Sequence, residues 1–135
     1  MLVEAGERRA AFLARAVAEL GLAGRVRVER HRAEELGRDP THRGRYPLVT
    51  ARSFGPPAVA AECAAPLLAV GGRLIVSEPP GESAGRWPVA PLAELGLEAE
   101  AAVRVRAGYQ VLVQARPCPE RFPRRSGVPA KRPLF

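Results

Sequence analysis

An acid closes the short apolar run Leu2-Val3-Glu4, and the amphipathic stretch Glu7–Leu20 follows almost at once. In nucleotide-binding α/β folds an acid at this place, the end of the second strand, accepts hydrogen bonds from the ribose hydroxyls of a bound cofactor. A helix start also favours an acid on electrostatic grounds alone. Arg52 stands at a comparable place, directly after the run Leu48-Val49-Thr50-Ala51, and open α/β sheets bind ligands beyond the carboxyl ends of their strands. A structural salt bridge is the other use for such an arginine. A third group, Arg121, Arg124, Arg125, Lys131 and Arg132, clusters near the end of the chain. These cations suit phosphate contacts of a salt-sensitive, non-specific kind, or simply a solubilising end.

Other chemistries lack their residues. His31 and His42 stand alone in polar surroundings, and Cys63 and Cys118 are far apart without CxxC spacing. Neither a zinc site nor a disulfide framework is expected. No carboxylate pair, metal-ligand cluster or Ser/His/Asp set is visible, so the sequence offers no catalytic residue and no metal.

At 135 residues, 47% of them hydrophobic, the chain can bury a core as one domain. Aromatic content is only 5%, so the core must be built from Ala, Val and Leu. The net charge of +7 is uneven: Arg116–Phe135 holds five Arg, one Lys and one Glu, a net +5, which leaves +2 for the first 115 residues. A nearly neutral body (1–116) with a basic, Pro/Arg-rich tail (117–135) is expected, the tail extended rather than packed. No apolar run approaches the roughly 18 residues of a membrane span and no signal peptide is seen, which makes the cytoplasm the expected compartment.

These groups need elements to hold them. Ala10, Leu13, Val17 and Leu20 form one helical stripe, ended at Gly21 or Gly24. Arg25–Glu29 alternates as a short strand, Arg32–Leu36 suits a helical turn, and Tyr46–Ala51 carries the signature of a buried strand. Pro57–Leu68 predicts a helix whose last turn Pro66 distorts. Gly71-Gly72 breaks the chain before the strand Leu74–Val76, Pro79–Gly85 is a loop, and Pro88–Leu95 is helical. Leu97–Val105 and Gly108–Ala115 read as two strands joined tightly at Arg106-Ala107-Gly108. The order β-α-β-(turn)-β-α-β-α-β-β implies a mainly parallel sheet covered on both faces and ending in an antiparallel hairpin. That ending marks S-adenosylmethionine-dependent methyltransferases rather than dehydrogenases.

Local matches agree. Leu2-Val3-Glu4-Ala5-Gly6-Glu7-Arg8-Arg9-Ala10-Ala11-Phe12-Leu13, Arg32-Ala33-Glu34-Glu35, Leu48–Phe54, Pro66–Gly72 and Arg121–Pro129 resemble, in order, segments of the RsmG (GidB) family. Those enzymes methylate N7 of a guanine in 16S ribosomal RNA. The resemblance implies a Rossmann-like class I methyltransferase sheet with an antiparallel C-terminal hairpin, truncated at its N-terminus. It implies S-adenosyl-L-methionine as cofactor, held at Glu4, Ala33, Glu34 and Arg52. It also implies ribosomal RNA or the small ribosomal subunit as partner of a monomer without membrane association, with Arg121, Arg124, Arg125, Lys131 and Arg132 toward the RNA.

The family's N-terminal helical region and glycine-rich first loop have no counterpart in this sequence. A mis-assigned start or a truly shortened copy would explain this, and the alternative function is a non-catalytic basic RNA-binding fragment. The family's first strand lies between the second and fourth, so Leu2–Glu4 and Leu48–Ala51 are expected to become neighbours, with a damaged cofactor pocket. Guanine N7 carries a free lone pair, so methyl transfer to it requires positioning rather than a general base.

Overall fold

Apolar runs and helical stripes alternate along the chain as expected, but the strands they form divide into two groups. The structure is a computed structural model and describes residues 1–80, 85–104 and 107–135. Strand β1 (Leu2–Val3) leads into helix α1 (Glu7–Glu19), and β2 (Val28–Glu29) lies parallel to β1, Leu2 opposite Val28. A short helix, α2 (Ala33–Leu36), precedes β3 (Tyr46–Ala51). Helix α3 (Pro57–Ala64) then tightens into a 3-10 turn at Ala65–Leu67. Pro66 lies in that turn, where the missing N–H and the ring exclude another α turn.

Strand β4 (Leu68–Glu78) is parallel to β3, and helix α4 (Val89–Glu94) leads to the antiparallel hairpin of β5 (Leu97–Arg104) and β6 (Gly108–Gln114). The four strands take the order β3-β4-β6-β5, and β1-β2 form a separate pair. The sheet is therefore less parallel than expected, since β6 is antiparallel to β4 as well as to β5. Residues 105 and 106 of the expected hairpin and its turn, and 81–84 of the expected Pro79–Gly85 loop, lie outside the described residues.

Gly71-Gly72 does not end a strand. It loops out inside β4, so that Tyr46 faces Leu68 while Leu48 faces Arg73. Gly71 has φ +82°, and a Cβ on Gly72 would lie 2.8 Å from the Tyr46 carbonyl oxygen, which explains why both positions lack a side chain.

The core joins Ala60, Ala61, Ala64 and Ala65 of the α3 region to Leu68, Leu74 and Val76 of β4. Leu92, Leu95, Leu97 and Leu112 close it from the other side, with Trp87 and Phe122. Two expected core residues fall outside it. Leu20 of the α1 stripe is 70% exposed and Leu48 of β3 is 51% exposed. Among the described residues no strand is hydrogen-bonded to the outer edge of β3, so the signature of a buried strand is only half realised.

The expected pairing of Leu2–Glu4 with Leu48–Ala51 is also overturned. Among the described residues no backbone hydrogen bond joins the two segments, and a groove of about 410 Å³ lies between them. A two-residue strand can offer only a couple of ladder bonds, each worth about 1 kcal/mol net. That is too little to draw β1 away from β2 and α1.

The basic tail is packed rather than extended. Phe122 is 4% exposed, Leu134 and Phe135 pack against the core, and Val128–Lys131 forms a final helical turn, α5. The reason is electrostatic. Glu62, the one charged residue of α3, has no exposure. It accepts hydrogen bonds from the Arg124 N–H (2.9 Å), Nε (2.8 Å) and Nη2 (2.6 Å). Arg43 adds a second clasp by donating to the carbonyls of Gly37, Cys118, Pro119 and Phe122.

Removing one partner of a buried, hydrogen-bonded ion pair costs about 3–5 kcal/mol. Arg124→Ala, which strands the Glu62 carboxylate, is expected to lower stability by about that much in urea denaturation. Trypsin is expected to cut the variant's C-terminal segment well before the rest of the chain.

Candidate functional site

The ends of β1, β2 and β3, with the loops that leave them, carry the chemistry. Glu4 follows β1 directly and is half-buried. Its Oε1 accepts hydrogen bonds from the Gly6 N–H (2.6 Å) and Arg9 Nη2 (2.8 Å). The Arg9 hydrogen bond, then the Gly6 amide, hold its carboxyl below the ordinary value of 4.5. Both contacts use Oε1, so Oε2 of an ionised carboxylate is left to accept from elsewhere.

Ala33 opens α2 and lines the groove. As the first residue of a helix its N–H has no intrahelical acceptor and is available to a base edge. Its neighbour Glu34 is directed to another task. It is 6% exposed, accepts a hydrogen bond from the Gly127 N–H at 2.9 Å and lies 3.6 Å from Arg32. Glu34 thus ties the tail to α2, while Ala33 faces the groove.

Two cavities adjoin. The groove of about 410 Å³ has Leu2 and Val3 on one wall, Leu48 and Val49 on the other, and Ala60, Cys63 and Ala64 among its lining residues. The second cavity, about 620 Å³, opens where β3 and β4 end and is lined by Arg52, Ser53, Phe54, Glu78, Arg86 and Tyr109, among others. Thr50, Ala51 and Phe54 line both. Arg52 is exposed and has no hydrogen bond or ion pair among the described residues; Ser53 beside it has φ +50°. A left-handed conformation is uncommon for serine, and it turns the chain sharply at the junction of the cavities.

Burial pushes the Cys63 thiol up to about 12, with the nearby Glu34 and Glu62 charges adding to the effect. Burial likewise raises Cys118 to about 11. Neither thiol is a nucleophile at neutral pH. Among the described residues no group of three or more His, Cys, Asp or Glu could hold a metal ion, and no helix is long and apolar enough to cross a membrane.

The five tail cations do not act alike. Arg124 is consumed by Glu62 and the Arg132 carbonyl. Arg121 lies 3.3 Å from Glu94 and 4.9 Å from the Phe122 ring centroid. Arg125, Lys131 and Arg132 are exposed, and none of their side chains pairs with an acid among the described residues.

Sequence reasoning missed Glu78, Arg86 and Tyr109. Glu78 had a signal: it ends an apolar strand with an acid, as Glu4 does. Its side chain is 3% exposed, and Oε1 accepts from Trp87 Nε1 at 2.9 Å. Arg86 Nε lies 2.7 Å from Oε2, close enough for an ion pair, yet the two are not aligned for a hydrogen bond, and among the described residues neither atom has another partner. An unsatisfied buried acceptor costs about 1–3 kcal/mol.

An α/β sheet with strand-end acids, adjoining cavities and an antiparallel terminal hairpin defines the Rossmann-like class I methyltransferase architecture. The model of the GidB family, rRNA small subunit methyltransferase G, matches residues 1–78, and the chain belongs to this family. It is 37% identical to ribosomal RNA small subunit methyltransferase G of Pelotomaculum thermopropionicum, over 98% of this chain and 59% of the relative. The protein of the same name from Symbiobacterium thermophilum is 41% identical over 76% of this chain and 45% of its own length. That from Roseiflexus castenholzii is 38% identical over 99% and 60%. The chain thus spans about half to three-fifths of these relatives. A solved protein from Corynebacterium glutamicum shares the fold, with a TM-score of 0.55, 18% identity, and coverage of 84% of this chain and 59% of that one.

Two outcomes follow from the site's electrostatics. Because Glu4 is depressed below 4.5, its pair with Arg9 is fully formed above that pH and is lost as pH falls through the lowered value. In Arg9→Ala the Glu4 titration followed by carboxyl-carbon NMR should move part of the way back toward 4.5, the Gly6 amide remaining. Cys63 and Cys118 should stay unmodified by iodoacetamide in the folded protein at pH 8, and both should react in urea.

Proposed function

We propose that this chain is the part of an S-adenosylmethionine-dependent ribosomal RNA methyltransferase that holds the cofactor's nucleoside and the target base. The target atom is N7 of a guanine in the 16S RNA of the small ribosomal subunit. The adjoining cavities that share Thr50, Ala51 and Phe54 carry this proposal, because a transfer between two bound molecules needs two sites in contact. The groove takes the cofactor: Glu4 Oε2 accepts from ribose hydroxyls, the Ala33 N–H reads the base edge, and apolar walls of Val3, Leu48 and Val49 enclose it. Arg52 lines the larger cavity, next to the shared Ala51, where it can meet a carboxylate or a phosphate. Glu34 contributes from behind, by fixing α2.

S-adenosylmethionine, when bound, supplies a methyl group on a sulfonium. No residue of the chain has to take a proton, since N7 has none. The chain's part is to position, exclude water and hold the base at the shared wall. N7 lies in the deep major groove of A-form RNA, so the base must come from an open loop or be extruded. Arg125, Lys131 and Arg132 are the free cations that contact phosphates, with Arg121 and Arg124 supporting the surface they stand on. The proposed setting is the cytoplasm, and the proposed working form is a monomer.

Calorimetric titration with S-adenosylhomocysteine tests this. Micromolar binding is expected, weakened about tenfold or more by Glu4→Ala and by Arg52→Ala while the melting temperature stays within a few degrees. A folded chain that shows no binding would refute the proposal for this polypeptide.

A further inference from the structure

The larger cavity contains a feature that cofactor binding does not use. Glu78 puts a nearly fully buried carboxylate into its wall, with Oε1 oriented by the Trp87 indole and Oε2 without a hydrogen bond among the described residues. The group lying on Oε2 is the Arg86 guanidinium, whose Nε sits at 2.7 Å out of alignment. Two exposed aromatic residues also line it, Phe54 (50% exposed) and Tyr109 (40% exposed). Exposed rings of this kind stack unpaired bases.

We propose that Glu78 is the specificity-determining residue of the base pocket and that it accepts hydrogen bonds from N1–H and the 2-amino group of guanine, with Arg86 as a stand-in that the base displaces. This rests on the methyltransferase assignment above and identifies the residue that would select the base. The chemistry is selective. Guanine alone among the four RNA bases presents two adjacent donors on its Watson–Crick edge. Adenine and cytosine present a ring nitrogen acceptor that a carboxylate repels, and uracil flanks its single N–H with carbonyls. C2 of guanine with its three nitrogens N1, N2 and N3 is itself a guanidine, the same group that Arg86 now places over Oε2. Each carboxylate oxygen has two lone pairs, so Oε1 can keep the Trp87 bond while it accepts a second donor. Displaced Arg86 joins Arg52 at the rim, where both can meet phosphate.

The test compares seven-nucleotide oligouridylates that carry one central guanosine, inosine or adenosine, binding to the full 135-residue chain by fluorescence anisotropy. Inosine lacks only the 2-amino group. The wild-type chain is expected to bind guanosine RNA about tenfold more tightly than inosine RNA, in the range of a two-point base contact. In Glu78→Gln, which keeps the size of the side chain and an acceptor for Trp87, that ratio should fall to about two or less, with adenosine RNA changed less than twofold. Phe54→Ala, at an exposed position, should weaken all three RNAs by about tenfold and leave the ratio intact.

Equal wild-type affinity for guanosine and inosine, no binding to any of the three, or an equal loss for all three in Glu78→Gln would overturn the proposal. Binding of S-adenosylhomocysteine, measured on the same samples, does not involve Glu78, so failure here is separable from failure of the methyltransferase assignment.

Discussion

A carboxylate sealed inside an alanine-rich helix needs a charged partner, and among the described residues Glu62 has one side-chain partner, the guanidinium of Arg124. Much else follows from that requirement. To bring Arg124 to α3 the last segment of the chain must cross the body, which seats Phe122 in the core and places the Gly127 N–H on Glu34. Arg43 then finds the carbonyls of the crossing segment within reach. With few aromatics available, small side chains leave room in the core, and the returning tail fills it. Residues that look like a solvated appendage are part of the scaffold beneath the candidate site.

The site itself is organised by strand ends. Glu4, Arg52 and Glu78 each stand at or just beyond the last residue of a strand, where the backbone of the sheet no longer occupies the space and loops can diverge. In this chain the plan yields two cavities with a common wall. The wall is made by the end of β3, and beyond the left-handed turn at Ser53, Phe54 lines both cavities while Arg52 lines the larger one. The smaller cavity depends on β1 and β3 standing apart, and the larger on the separation of the loops that follow β3 and β4.

Much of the fold was legible in the residue pattern. The order of elements, the 3-10 turn forced by Pro66 and the hairpin of β5 and β6 all follow from periodicity and from Pro and Gly positions. The places of Glu4 and Arg52 were legible for the same reason: an apolar run and its terminating residue are both local. What failed was long-range. Pro and Arg density in the tail signalled an extended segment, because composition carries no information about a buried acid that lies 62 residues earlier. The exposure of Leu48 and the gap between β1 and β3 depend on which strands pair, and pairing has no local signature. Glu78 was missed although it repeats the pattern of Glu4, because Ser77 and the prolines after it mask the end of the strand. A lone Glu among the apolar residues of α3 was a visible anomaly, and an unpaired charge there could not have stood.

The clasp between Glu62 and Arg124 has a consequence for the order of events during synthesis. Translation proceeds at about 5–20 residues per second, so α3 leaves the peptidyl-transferase centre roughly 3–12 seconds before its ionic partner is made. Throughout that interval the acid must remain hydrated, and the helix cannot dock in its final position. Phe122 is made just before Arg124, and Leu134 and Phe135 arrive later still. Final packing of the interior around α3 therefore waits until the segment that carries Arg124 has been made.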